Sequence, residues 1–218
     1  PEWEQLYCDN AHMSIWPWSD LVSYVHRYAR PAAGFQRVLE LGCGAGANIP
    51  FFLKLGVDYC AIEGSPAIVA RLHQAYPDLR EKILVGDFTR MLPFEGVFDL
   101  IVDRGSLTHN ATAGIRGGLA LAYQRLRPGG KFIGIDWFSS AHSSAGLGSA
   151  FDSHTRPDIA SGHLAGTGKV HFCDREHLLG LLSEAGYQVE RLEHKQNDTL
   201  IPADGERFAC WNFVAVKP

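Results

Sequence analysis

Short apolar runs recur along the chain, separated by stretches with the composition of helices. Val38–Leu41, Val57–Ile62, Lys82–Val85, Phe98–Val102 and Lys131–Trp137 are each of strand length. Runs this apolar belong to strands covered on both faces, and their alternation with helices predicts a mostly parallel sheet. Helix punctuation falls where this reading needs it. Ser65-Pro66 offers an N-cap followed by Pro at the first helical position, ahead of "AIVARLHQAY". "RPGG" at 127–130 ends the helix carrying "GGLALAYQRL", and Asp174 opens "REHLLGLLSEAG", stopped by Gly186. "YQVERLEH" and "FACWNFVAV" are joined by the polar loop "KQNDTLIPADGER" with no helix between them. Two such strands pair as an antiparallel hairpin.

The predicted fold is therefore α/β: a Rossmann-like, doubly wound, mostly parallel seven-stranded sheet with an antiparallel C-terminal hairpin, in an α/β/α sandwich. Residues 1–218 are read as one domain, a length that allows a sizeable core. Two segments stand apart from the alternation. Residues 1–34 are rich in Trp and Tyr and read as a helical cap, and residues 139–170 are rich in Gly, Ser and His. The second is far longer than most connections and reads as a lid or a substrate-binding insertion.

Charge and cysteine content narrow the classes of partner. The formal net charge is −4 and no run of basic residues occurs, so the chain lacks the clustered Lys and Arg that grip nucleic acid. The five cysteines are odd in number and contain no CxxC pair, which fits a reducing compartment, with the cytoplasm as the expected location. No signal-peptide pattern opens the chain, and no stretch approaches the roughly 18 apolar residues of a membrane span. A small-molecule substrate is expected, with neither nucleic acid nor membrane as partner, while composition leaves the oligomeric state open.

The candidate chemistry starts at "RVLELGCGAGANIPFF", where an apolar strand runs into Gly42, Gly44 and Gly46 and then into a helix. Gly42-x-Gly44-x-x-Ala47 satisfies a relaxed dinucleotide fingerprint, and Glu63 ends the next strand, where an acid would hold a ribose diol. Glu40 separates the two readings. A carboxylate two residues before the turn would oppose a pyrophosphate by Coulomb repulsion, whereas S-adenosylmethionine brings a sulfonium, an ammonium and one carboxylate. Asp87 and Phe88 end the third strand, and Asp103, Arg104 and Gly105 end the fourth. All lie at strand carboxyl ends, where open α/β sheets bind ligands.

With "VLELGCGAGANIPFF", "YCAIEGSPAIVARL", "ILVGDF", "FDLIVDRGSLTH" and "LRPGGKFIGIDW" in this order, the chain resembles the class I S-adenosylmethionine-dependent methyltransferases from about Phe35 to its C-terminus. The resemblance implies S-adenosyl-L-methionine as cofactor and S-adenosyl-L-homocysteine as product. It places Gly42, Gly44 and Gly46 about the methionine moiety and Glu63 at the ribose. Asp87 and Phe88 would contact the adenine, and Asp103 with neighbouring backbone would face the methyl donor; Glu40, Cys43, Gly64, Ser65 and Arg104 are further cofactor-site candidates, Cys43 filling a position often taken by a small or acidic residue. A weaker resemblance, carried by "MSIWPWSDLVSYVHRY", "DRGSLTHN" and "GIDWFSS", is to bacterial methyltransferase-like proteins that accompany polysaccharide or glycan biosynthesis.

Tyr7, Trp16 and Trp18 are candidates to roof the cleft or meet a substrate, against the plainer role of packing an N-terminal helix. His109, Asp136 and His171 are the candidate bases, each weighed against a structural role. His142, His154, His163 and His171 lie in or beside the long insertion but match no compact ligand spacing, so no metal is expected. The expected reaction is in-line methyl transfer to a small-molecule acceptor, a sugar or glycan precursor being the leading class. Alternatives are a protein methyltransferase, a nicotinamide-dependent oxidoreductase and a catalytically silent S-adenosylmethionine-binding regulatory module. Against the oxidoreductase stand Glu40 and the lack of a Tyr-x-x-x-Lys pair.

Overall fold

The computed structural model describes residues 13–29 and 37–218. Its centre is a sheet of seven strands: β1 (Arg37–Leu41), β2 (Asp58–Glu63), β3 (Ile83–Val85), β4 (Phe98–Arg104), β5 (Leu126–Phe138), β8 (Gln188–Asp198) and β9 (Arg207–Val216). Their spatial order is β3-β2-β1-β4-β5-β9-β8. Strands β1 to β5 run parallel, and β9 is antiparallel to both β5 and β8. The expected doubly wound sheet and terminal hairpin are present. A topological switch falls at β1, whose neighbours β2 and β4 lead to opposite sides, so the crevice at the carboxyl end of β1 is where this sheet can take a ligand.

Helices cover both faces. On one face α1 (Ser19–Tyr24) and the π-helical turn after it, α2 (Ile49–Leu55) and α3 (Pro66–Ala75) bury Leu21, Val25, Ile49, Phe52, Ile68 and Leu72 against Val38, Ala61, Val102 and Ile133. On the other, α4 (Thr112–Arg125) and α5 (Arg175–Glu184) bury Ile115, Leu119, Leu178 and Leu182 against Leu39, Leu41, Ile101 and Phe132. Alternate residues of β1 thus serve opposite cores, as the two-residue period of a strand requires.

The predicted caps act as caps. Ser65 Oγ accepts from Ile68 N at 3.2 Å and Asp174 Oδ1 from His177 N at 2.8 Å. Boundaries differ where distant chain intervenes. β5 starts at Leu126, ahead of "RPGG", because Leu126 pairs with Phe98, while Gly129 N donates to Lys217 O and Lys217 N to Gly130 O. β8 runs on through "KQND", so the hairpin loop is shorter than its polar composition implied.

The insertion after β5 is folded on a small core of its own. Phe138, Ile159, Leu164, Val170 and Phe172 pack together, and the short strands β6 (Thr155–Arg156) and β7 (Val170–His171) pair antiparallel. No helix among the described residues is long and apolar enough to cross a membrane.

Candidate active site

At the carboxyl end of β1 the chain turns through Gly42, Gly44 and Gly46, all with positive φ (64°, 52° and 84°). L-residues with a side chain adopt this region only at a cost. Space adds a second reason at Gly42, where a Cβ would stand 2.2 Å from Ser106 Oγ. Ser106 occupies that position because its hydroxyl donates to Gly42 O at 3.0 Å. The glycine turn is thereby tied to the segment after β4.

Glu63 fixes the same turn from the β2 side. Its Oε2 accepts from Gly44 N at 2.9 Å and its Oε1 from Ser65 N at 3.0 Å. The carboxylate thus sits at the adjoining carboxyl ends of β1 and β2, with open space around Gly64 beside it. Phe88 approaches the turn from β3, its ring 3.5 Å from where a Gly42 Cβ would lie.

Glu40 is not in the cleft but beneath it. It is buried on the α1–α2–α3 face, with Oε1 accepting from Asn48 Nδ2 at 2.8 Å and Oε2 from the Tyr59 hydroxyl at 2.5 Å. Burial pushes its carboxyl up to about 7 despite those two donors, and Glu63 adds to the rise. Asp103 is likewise fully buried, accepting from Leu107 N at 3.0 Å and Trp137 Nε1 at 2.7 Å, and burial raises it to about 7. Its expected place facing the methyl donor is corrected accordingly, since the carboxylate caps the turn after β4. Cys43 is buried too, and burial with Glu63 and Glu40 raises its thiol well above the ordinary range.

Asp87 closes a turn, with Oδ1 accepting from Thr89 N at 2.9 Å and Thr89 Oγ1 at 2.6 Å, and Oδ2 3.3 Å from Arg90 Nε. That turn carries Phe88. Arg104 pairs with Asp136: its Nη2 lies 2.9 Å from Asp136 Oδ2, and its guanidinium carbon 3.5 Å from the centre of the Trp18 ring. Trp18 therefore covers the ends of β4 and β5, and its backbone N–H donates to Asn48 Oδ1 at 3.2 Å. Trp16 is 75% exposed. Tyr7 lies outside the described residues.

Asp136 stands where β5 shifts register against β9, with φ of 55°, an uncommon conformation for a non-glycine residue. Asn212 on β9 holds it there, its Oδ1 accepting from Asp136 N at 2.8 Å. Asn212 Nδ2 donates to Asp20 Oδ2 at 3.1 Å, and Asp20 pairs with Lys195. Asp20, Lys195 and Asn212 were not foreseen. They come from α1 and the C-terminal hairpin, remote in sequence from every strand end that marked the site.

Of the other candidate bases, His109 follows β4 and points Nδ1 at Lys169 O, 3.1 Å away. A carbonyl only accepts, so Nδ1 carries the hydrogen and Nε2 is the basic nitrogen of the neutral ring. His171 does not serve as a base. It is wholly buried, its Nδ1 is 3.0 Å from Thr155 Oγ1 and its Nε2 3.0 Å from His177 Nε2, and burial lowers it to about 3.

Glu63 presents its carboxylate at the glycine turn, while Glu40 and Asp103 are buried beneath it. A carboxylate at the turn opposes a pyrophosphate and suits a ligand that brings a diol.

Comparison with known proteins agrees. Residues 38–130 match the family model described as a methyltransferase domain. No protein of curated function matches. An S-adenosylmethionine-dependent methyltransferase from Methanosarcina mazei superposes with a TM-score of 0.70 at 14% identity, over 93% of this chain and 98% of that one. An S-adenosylmethionine-bound amino pentose methyltransferase from Micromonospora echinaspora gives 0.63 at 18%, over 100% and 97%. A glycopeptide N-methyltransferase with S-adenosylmethionine gives 0.56 at 26%, over 87% and 86%. The glycine turn, the acids about it and the first strands of the sheet thus fall within a methyltransferase domain at residues 38–130, and the chain as a whole has the Rossmann-like fold of S-adenosylmethionine-dependent methyltransferases.

Proposed function

We propose that the chain methylates a small-molecule acceptor of the sugar or glycan-precursor class, bound at the carboxyl ends of β4 and β5. The observation carrying this reading is the Arg104–Asp136 pair under the Trp18 ring. A partly buried ion pair beside an aromatic face is the kind of sparse, oriented polar group with which concave sites fix a small polar ligand. The solved structures that resemble the chain include an amino pentose methyltransferase and a glycopeptide N-methyltransferase, which supports the same class. The whole chain acts as one domain in this reading, with the insertion walling the acceptor side.

On the donor side, the 42–46 turn would hold the methionine end, Glu63 with Gly64 and Ser65 the ribose, and Phe88 on its Asp87 turn the adenine. The bound donor supplies a methyl group already activated on a sulfonium. The chain's own residues have to align the acceptor in line with that methyl and keep water out, and alignment of this kind is worth about 7–11 kcal/mol of barrier. His109 Nε2 takes the acceptor's proton, its ring held by Lys169 O so that the basic nitrogen is fixed. Asp136 keeps Arg104 beneath Trp18 and does not act as the base.

The test is transfer from methyl-labelled S-adenosylmethionine into a cell extract split into small-molecule, glycan and protein fractions. Label in the small-molecule or glycan fraction is expected. Label confined to protein overturns the proposal, and no label with donor binding intact replaces it with a regulatory module.

A further inference from the structure

Outside the methyl-transfer cleft, three histidines that are dispersed in sequence meet where the insertion joins α5. His171 Nε2 and His177 Nε2 face each other at 3.0 Å, and Cys173 Sγ completes a group whose ligand atoms all lie within 4.8 Å of one another. His154 stacks on His177 with ring centres 3.6 Å apart, and its Nε2 is 3.8 Å from Asp174 Oδ2. The pattern His171-x-Cys173-x-x-x-His177 has no standard spacing, so only the fold reveals it.

The surroundings decide how the His171 ring is oriented. Thr155 Oγ1 lies 3.0 Å from His171 Nδ1, and the same threonine side chain hydrogen-bonds Asp152. A carboxylate only accepts, so the Thr155 hydroxyl donates to Asp152 and accepts from His171 Nδ1–H. His171 Nε2 is then a lone pair aimed at a second imidazole. A carboxylate–hydroxyl–imidazole relay of this kind is how metal-binding histidines are fixed in tautomer and direction.

We infer that His171, Cys173 and His177 form a zinc site, with His154 and the solvent-facing Asp174 beside its fourth position. Two imidazole nitrogens on one tetrahedral zinc stand about 3.3 Å apart, given Zn–N bonds of about 2.0–2.1 Å, close to the spacing present. Two nitrogens and one sulfur are a donor set suited to zinc, and not to calcium or magnesium. Binding releases the Cys173 thiol proton to solvent, and the His177 proton moves from Nε2 to Nδ1, so that the ring ligates as neutral imidazole. The ion ties β7 to the start of α5, and through Thr155 to β6. Two residues before His171, Lys169 O holds His109, so the clip also stiffens the support of that ring.

Cobalt(II) added to chelator-treated full-length protein tests this. One equivalent is expected to give a thiolate-to-cobalt charge-transfer band and intense visible bands of a tetrahedral site, and zinc is expected to displace it and raise Tm. Cys173→Ser should lose the charge-transfer band, and His177→Ala should lose tight binding and the zinc-induced rise in Tm. Thr155→Val should weaken zinc by about 10- to 100-fold. If Cys173→Ser does not fold, the half-buried His177 and the Thr155 variant still decide. Absence of the bands in the unaltered protein, or zinc affinity unchanged in His177→Ala, overturns the site.

Discussion

The Arg104 guanidinium lies against the face of the Trp18 ring, with 3.5 Å between its central carbon and the ring centre, while the same guanidinium pairs with Asp136. An N-terminal segment is thereby joined to the ends of two central strands. Trp18→Ala removes the ring but keeps the backbone bond to Asn48. Such a contact is worth about 0.5–2 kcal/mol, so KM for the acceptor should rise about 2- to 30-fold, with donor affinity by calorimetry nearly constant. An unchanged acceptor KM would detach the ring from the acceptor site.

Glu63 bridges two backbone amides at the strand ends, so its loss strikes both donor recognition and the shape of the turn. Glu63→Ala should weaken S-adenosylmethionine by about 1.5–3 kcal/mol, the scale of hydrogen bonds to a charged group. Titration calorimetry reads this directly, and an unaltered Kd removes Glu63 from the donor site.

Gly42→Ala meets two separate obstacles. The positive φ costs about 1–2 kcal/mol, and the new Cβ runs into Ser106 Oγ. Adding Ser106→Gly should recover the second part of the loss in urea stability but not the first. Full recovery in the double variant would show that φ carries no cost here.

Much of this was legible in the sequence, for identifiable reasons. The strands of the parallel sheet showed as apolar runs because both their faces are buried, and Ser65 and Asp174 showed as caps because capping is local chemistry. The pairing of Glu63 with Gly44 joins two strand ends whose motifs were both visible. Glu40 was read as facing the turn, since a strand pattern gives alternation but not which face a polar member takes. It takes the face where Tyr59 and Asn48 supply donors. Asp136, Asn212, Asp20 and Lys195 meet only because β9 returns beside β5 and α1 folds over both, and no spacing in the sequence encodes that approach. The meeting of His177 with His171 is hidden in the same way.

Glu40 and Asp103 give the protein a pH dependence of definite sign. Both carboxyls are raised to about 7 by burial, above their ordinary values, so the folded chain holds these protons more tightly than the unfolded one. Their contribution is fully present below about pH 4 and is lost as pH rises through about 7, because ν_N exceeds ν_U across that window. Glu40→Gln should flatten the decline in unfolding free energy between about pH 4 and pH 7 by a few kcal/mol. Denaturant titrations at several pH values check it, and the same slope in the variant would refute the assignment.

His109→Ala should lower kcat by about 10²–10⁴-fold if the acceptor loses a proton in the reaction, with donor binding retained. A variant that keeps the rate would leave His109 as a support for the insertion alone.

The outer strand of the hairpin has a consequence for how the molecule keeps to itself. β8 lies at the end of the sheet and presents Gln188, Glu190, Arg191, Gln196 and Asp198 as exposed side chains, while the opposite edge, β3, is only three residues long. An unpaired strand edge is a template on which another chain can add and seed aggregation. Here one edge is lined with ionic and amide groups that an incoming strand would have to desolvate, and the other is too short to give it much purchase. The sheet is thus guarded at both ends against growing beyond its own seven strands.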